Sequence, residues 1–271
     1  MPRVQVGDVW LAYDKAGAGA PIVFVHAYPM NRAIWEPQVT AFAPMQLVIA
    51  VDLRGFGESD APIESAAYGQ EQSVSDLVGL LDVLGIEKAT FCGLSMGGNL
   101  ALHVALNHPD RVSALAIVDT GAGSEDPEAF AATVTSWAEA AEQRGIEGFT
   151  ETIMANPIFA GYAERGPKER KFMQERIRAN TAHGVAFTAR KVLAPRPPVY
   201  ELTARLHKMN TPTLVIVGAQ DTACLAPSRH LAETIPHARL ATIPAAGHFN
   251  NLEAPAQFNE VLGEFLAGTP S

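Results

Sequence analysis

The chain has 271 residues, 48% of them apolar and only 18% charged, which suits a large packed core and excludes a solvated, disordered chain. Its 29 acidic residues outnumber 20 basic ones for a net charge of −9, so nucleic acid is not an expected partner. Cys92 and Cys224 lie far apart without CxxC spacing, and no signal-type leader or 18-residue apolar run occurs; no disulfide scaffold, metal site or membrane partner is expected, and the cytoplasm is the expected location.

In chain order, VQVGDVWLAYDKAG reads as an antiparallel hairpin at a sheet edge. PIVFVH (21–26), QLVIAVD (46–52), TFCG (90–93) and ALAIVD (114–119) follow as continuous apolar runs ending in polar residues. Such runs suit strands covered on both faces of a mostly parallel sheet. Helical stretches separate them: residues 74–85 place Val74, Leu77, Leu80, Leu81 and Leu84 on one stripe, and 99–110 is helical until Pro109. From Gly121 to about Met209 only helical patterns occur, clearest in AAEQRGIEGFTETIM and in the run from Lys168 to Ala194. The alternation then resumes with TPTLVIVG (211–218), a helix near 226–235, RLATIP (239–244) and a helix over about 254–267. The pattern predicts an α/β fold: a mostly parallel, eight-stranded sheet flanked by helices, with a helical cap inserted after the sixth strand. The expected division is core at 1–120, cap at 121–209 and core again at 210–271. An insertion leaving a strand's carboxyl end emerges beside the place where ligands bind in such sheets, and can cover it.

The stretch FCGLSMGGN gives this architecture a chemical centre. GLSMG fits G-x-S-x-G between a strand and a helix, where a sharp turn presents the serine and forbids bulk two residues away on either side. Ser95 is the candidate nucleophile, and the Met96 amide, at a helix N-terminus, is half of an oxyanion hole. The base and its orienting acid are sought at later strand ends, in the order Ser, Asp, His. Asp221 ends VIVGAQD and His248 follows RLATIPAAG. Asp119, also at a strand end, is an alternative acid or a cap of the turn into the insertion. His26 is an alternative base, or a residue that holds the following loop through its ring nitrogens. Neither cysteine has a base of its own.

These residues carry a family resemblance. HAYP at 26–29, DLRGFGESD at 52–60, GLSMGG, GAQD at 218–221 and AGHFNNLEAP at 246–255 are similar, in order, to the motifs of the α/β-hydrolase superfamily, in its capped serine esterase and lactonase branch. The resemblance implies that Ser95 attacks, His248 is the base, Asp221 orients it, and the amides of Tyr28 and Met96 hold the oxyanion. Ala27 departs from the family's usual glycine. FCGLSMGG and ANTAHG also resemble 3-oxoadipate enol-lactonases. The implied activity is hydrolysis of small carboxylic esters without a cofactor, with small-molecule ester or lactone partners. Alternatives are an enol-lactonase-like lactonase, a carbon–carbon bond hydrolase, and a ligand-binding receptor with slow or no turnover. Trp35, Trp137, Phe159 and Phe187 are the candidate pocket aromatics, and a basic residue between Arg165 and Arg178 is a candidate for meeting a substrate carboxylate. Oligomeric state is not legible.

Overall fold

Gly7, at φ 55°, turns the chain between β1 (Arg3–Val6) and β2 (Val9–Ala16), which pair antiparallel with Val6 opposite Val9. This is the expected edge hairpin in a computed structural model that describes residues 2–269, so the outermost residues of the predicted core lie outside the described residues. β3 (Pro21–Val25), β4 (Leu47–Val51), β5 (Ala89–Leu94), β6 (Val112–Val118), β7 (Thr213–Gly218) and β8 (Arg239–Ile243) are mutually parallel, and β2 joins β4 antiparallel. The order is β1-β2-β4-β3-β5-β6-β7-β8. β5 and β7 are buried at every residue, as uninterrupted apolar runs require, whereas β8 closes the edge with Arg239 and Leu240 exposed. The connection from β3 goes to one side and β5 lies on the other, so the order reverses at the β3–β5 boundary. Ligands of open parallel sheets bind beyond the carboxyl ends at such a boundary.

Helices α1 (Glu36–Phe42), α2 (Gln70–Val83) and α3 (Met96–Asn107) cover the sheet early in the chain. α3 turns Leu100, Ala101, Val104 and Ala105 inward, all buried. Between β6 and β7 the described residues form no strand. α4 (Pro127–Met154) is capped by Asp126, whose carboxylate accepts from the Ala129 amide at 3.0 Å, and it bends at Gly145, φ 67°. α5 (Pro157–Ala163) and α6 (Pro167–Arg178) also begin at a proline, which is pre-organised for the first helical position. The single predicted run from Lys168 to Ala194 is in fact three elements. Thr181 accepts from the Gly184 amide at 3.1 Å and starts α7 (Ala182–Thr188), and a π-helical turn follows at Ala189–Leu193. α8 (Thr203–Leu206) leads back to β7, and α9 (Thr222–Thr234) follows it. The expected last helix is α11 (Pro255–Ala267), and a short α10 (Asn250–Glu253) precedes it. Ala254 precedes a proline and takes a non-helical φ of −140°. No helix among the described residues is long and apolar enough to cross a membrane.

The helical excursion is stitched to the sheet's carboxyl edge by polar contacts. Asn180 Nδ2 donates to the Pro29 carbonyl at 2.6 Å, while its Oδ1 accepts from the Gly57 amide at 2.8 Å. The Tyr28 hydroxyl donates to the Val185 carbonyl at 3.1 Å. Arg165 reaches the Glu253 carboxylate at 2.9 Å and the Ala245 carbonyl at 2.8 Å. One stretch, 26–29, is thus tied to both α7 and the loop after β4.

α3 also buries a titratable ring without a partner. His103 is buried and its Nε2 has no hydrogen-bond partner among the described residues. Burial, reinforced by Arg205 and Arg196, lowers its pKa to about 4. The unfolded chain binds that proton near pH 6.5 and the folded chain does not, so stability is lost as pH falls from about 6.5 toward 4. Melting temperatures between pH 7 and pH 5 should therefore drop. His103→Leu should flatten the drop by up to about 1.4 kcal/mol per pH unit; an unchanged slope would show that the ring is not the titrating group.

Candidate active site

Ser95 stands at the junction of β5 and α3 with φ 56° and ψ −111°, a backbone region that costs a non-glycine residue about 1–3 kcal/mol. Its amide donates to the Val118 carbonyl at 2.8 Å. The flanking glycines are required by distance. A Cβ at Gly93 would fall 2.2 Å from the Gly97 carbonyl oxygen, one at Gly97 2.2 Å from that of Val25, and one at Gly98 2.1 Å from Thr120 Oγ1. α3 can therefore press its first turn against the end of β3, which brings residues 26–28 beside the serine's turn.

The loop after β3 is held by His26. A carbonyl only accepts, so His26 Nδ1 carries the hydrogen and donates to Ala27 O at 2.9 Å, while Nε2 accepts from the Leu53 amide at 3.1 Å. Both nitrogens are committed to backbone, and burial lowers the ring's pKa despite nearby Asp52. His26 is the loop-holding residue of the two readings offered by the sequence. Ala27 is fully buried and lacks positive φ, so the backbone there does not need the family's glycine. Among the described residues no turn, loop or cap hydrogen bond uses the Tyr28 or Met96 amide.

Asp221 and His248 come from the ends of β7 and β8, and the loops that carry them touch. A Cβ at Gly218 would sit 2.2 Å from the Gly247 carbonyl oxygen, and the Gln220 amide donates to Ala246 O at 2.9 Å. His248 Nδ1 donates to Asp221 Oδ2 at 2.7 Å with both side chains buried. This fixes the tautomer with the lone pair on Nε2, the arrangement a general base needs. Ser95 and His248 line one cavity, although the Ser95 hydroxyl makes no hydrogen bond to the ring within 3.5 Å. Glu253 accepts from the amides on both sides of the histidine, Gly247 at 2.9 Å and Phe249 at 3.1 Å.

A second acid lies beneath the pair. Asp119, at φ 40°, accepts from the Gly218 amide at 2.8 Å and from Asn250 Nδ2. Burial, then the charge on Asp221, pushes the Asp119 carboxyl well above its ordinary value, which favours its protonated form as a donor toward Asp221. Burial would raise Asp221 too, but the His248 ring and donors from Cys224 and Asp119 outweigh it and hold that carboxylate below its ordinary value. Asp119 is therefore neither a plain cap nor the partner of the imidazole; it supports the acid that is. Asp221, Cys224 and His248 bring ligand-type atoms within 4.8 Å of one another, but their donors are spent on each other. Burial raises both cysteine thiols, which stay neutral at pH 7.

The cavity at Ser95 is walled by Tyr28, Phe130, Trp137, Ile158, Phe159 and Leu193, with Ala122 and Arg196 completing it. Of the four aromatics expected there, Trp137 and Phe159 line it, and Tyr28 stacks on Trp137 with ring centroids 6.1 Å apart. Trp35 does not: it is fully buried between Phe24, at 4.8 Å, and Phe258, at 6.0 Å, as core packing. Phe187 does not either, since it packs on Tyr68 and His183. Arg165 is bound to Glu253 and Arg178 to Glu147; neither borders this cavity, and Arg165 lines the cleft beside it. The arginine that does, Arg196, escaped the sequence reading; its signal is the PRPP stretch, which fixes the backbone on both sides. The cavity measures about 30 Å³, room for about two waters. A cleft of about 330 Å³ adjoins it, with Ile158 and His248 lining both.

Asp119→Asn keeps the shape and a donor toward Asp221, and a turn of the Asn250 amide restores the third contact. It should cost under about 1 kcal/mol in chemical denaturation. Asp119→Ala, which orphans the Gly218 amide, should cost about 1–3 kcal/mol. Equal losses in the two variants would contradict a neutral, donating Asp119.

The profile of the family described as the alpha/beta hydrolase fold matches residues 20–255. The 3-oxoadipate enol-lactonase 2 of Acinetobacter baylyi is 30% identical over 94% of this chain and 92% of its own. The solved enol-lactonase of Burkholderia xenovorans superposes with a TM-score of 0.86 at 30% identity, covering 98% of this chain and 100% of the other. A thermophilic esterase from Thermogutta terrifontis gives a TM-score of 0.87 at 30% identity, covering 98% of each chain. The chain belongs to the α/β-hydrolase family and is a hydrolase by that membership, with a clear likeness to enol-lactonases.

Proposed function

We propose that this member of the α/β-hydrolase family is a serine hydrolase that cleaves carboxylic esters of small to medium, largely apolar acyl groups through an acyl-enzyme on Ser95. One observation carries the reading: a strained serine shares its cavity with a histidine whose Nδ1 hydrogen is already bound by a buried carboxylate. His248 Nε2 takes the Ser95 proton as Oγ bonds to the substrate carbonyl carbon, and the π electrons move to the carbonyl oxygen. The Tyr28 and Met96 amides receive that oxyanion. The C–O bond to the alcohol then breaks, and the alcohol leaves with the proton from His248. Water repeats the sequence on the acyl-enzyme and frees Ser95. Asp221 stabilises the imidazolium without taking its proton.

Residues 121–209 act in this reading as a cap, with Trp137, Phe159 and Ile158 as the apolar ceiling over the scissile bond. Since the space at Ser95 is narrow, the substrate reaches it from the adjoining cleft by displacing Ile158, which lines both. A second reading is favoured by the likeness to 3-oxoadipate enol-lactonases: with a lactone the leaving oxygen stays tethered to the acyl group, and the same residues open a ring.

Ser95→Ala should reduce kcat/KM on 4-nitrophenyl butyrate by at least about 10³-fold and abolish labelling by a fluorophosphonate probe. Equal rates in the two proteins would remove Ser95 from the mechanism. Ile158→Ala should raise kcat/KM for a hexanoate ester relative to an acetate ester; an unchanged ratio would place the substrate's path elsewhere.

A further inference from the structure

Ser95 and His248 share their cavity with one cationic side chain among the described residues that has no carboxylate partner. Arg196 lies in the proline-flanked turn Pro195–Arg196–Pro197 before the return to β7, and its backbone has little freedom. Its guanidinium sits over the Phe130 ring, 4.8 Å from the centroid, and Nη2 donates to the Ala122 carbonyl. Phe130 and Ala122 are themselves cavity walls. No Asp or Glu oxygen lies within 4.0 Å of it among the described residues, whereas Arg54, Arg165 and Arg190 each pair with a carboxylate. On its outer side Arg196 borders a cleft that includes Gln70 and Glu71, and no ion pair forms there.

A guanidinium presents five N–H donors in a planar fork that matches a carboxylate. Half-buried, with its pKa lowered by desolvation to about 10, it keeps its charge at neutral pH and is partly desolvated with no carboxylate to offset that. The rest of the wall offers it the Phe130 ring face and the Ala122 carbonyl, neither of which is an anion. In a chain of net charge −9, a cation left without an acidic neighbour beside the nucleophile calls for an anion from outside.

We propose that Arg196 is a specificity-determining residue that receives a carboxylate on the substrate, so that the preferred substrates are small esters or lactones bearing a free carboxylate alongside an apolar body. This rests on Ser95 being the nucleophile. The arginine acts in binding: it places the carboxylate against the fork and thereby the scissile carbonyl over Ser95, and no proton or bond changes at Arg196 itself.

The test compares kcat/KM for mono-4-nitrophenyl glutarate with that for 4-nitrophenyl valerate, its neutral counterpart of similar length. Wild type should favour the hemi-ester. Arg196→Gln should lower the ratio of the two by on the order of 30-fold, mainly through KM for the hemi-ester, and Arg196→Lys should recover part of it. Glutarate should inhibit valerate-ester hydrolysis by the wild type competitively at constant ionic strength, and glutaramide should not. That comparison needs no variant and stands even if Arg196→Gln fails to fold. A wild type that turns over both esters through Ser95 without preferring the anion, with equal inhibition by the acid and the amide, would overturn the proposal and leave the serine reading intact. Turnover that survives Ser95→Ala would instead overturn the reading on which it rests.

Discussion

Backbone-to-backbone contact at the carboxyl edge of the sheet is the constraint on which this molecule is built. At Gly93, Gly97 and Gly218 an added methyl group would land 2.2 Å from a carbonyl oxygen. Those three contacts press α3 onto the end of β3, and the end of β7 onto the loop that carries His248. The close approach supports Ser95 at φ 56°, because the neighbouring backbone leaves the turn no relaxed alternative. Further from the edge the same sheet is ordinary apolar packing, tolerant of volume-conserving exchange.

Around that edge, polar groups are committed one by one until a few remain for chemistry. His26 spends both ring nitrogens on backbone, and Glu253 spends its carboxylate on the amides flanking His248. Asp119 and Asp221 interact, and their surroundings push their pKa values in opposite directions. Asp221 has the imidazole and the thiol as donors and keeps its charge, while Asp119 keeps the proton. The pair therefore behaves as a single buried anion anchored at several points, which fixes the imidazole's orientation more firmly than one carboxylate held on its own. What stays uncommitted is His248 Nε2 and the Ser95 hydroxyl, on one apolar cavity with the Arg196 guanidinium, which has a carbonyl and a ring face but no carboxylate.

The helical excursion contributes the walls and also the ties. Asn180 bridges the loops after β3 and β4, and Arg165 joins the excursion to the histidine loop through Glu253 and Ala245. Side chains that shape the cavity are thereby coupled to the turn bearing Tyr28. The aromatic faces of Tyr28, Trp137 and Phe159 pack on one another across that seam, so the cavity stays narrow until something displaces them.

The sequence by itself determined the alternation of buried strands and helices, the place of the excursion and the strand ends that bear Ser95, Asp221 and His248. These features are local: apolar run length, glycines that admit a close approach, and prolines or caps that start helices. Tertiary structure alone decided which side chains meet. Trp35 and Phe187 read like pocket aromatics, yet Trp35 packs behind the sheet and Phe187 against Tyr68, because helical periodicity does not say which neighbour a face will find. Asp119 lay in view, but its raised pKa follows from burial and from a carboxylate that stands 102 positions later at Asp221. Arg196 stands in a proline-rich stretch that nothing in the sequence links to the site. Only the fold leaves it facing Ser95 with no acid beside it, since pairing of charges depends on distances that sequence separation does not encode.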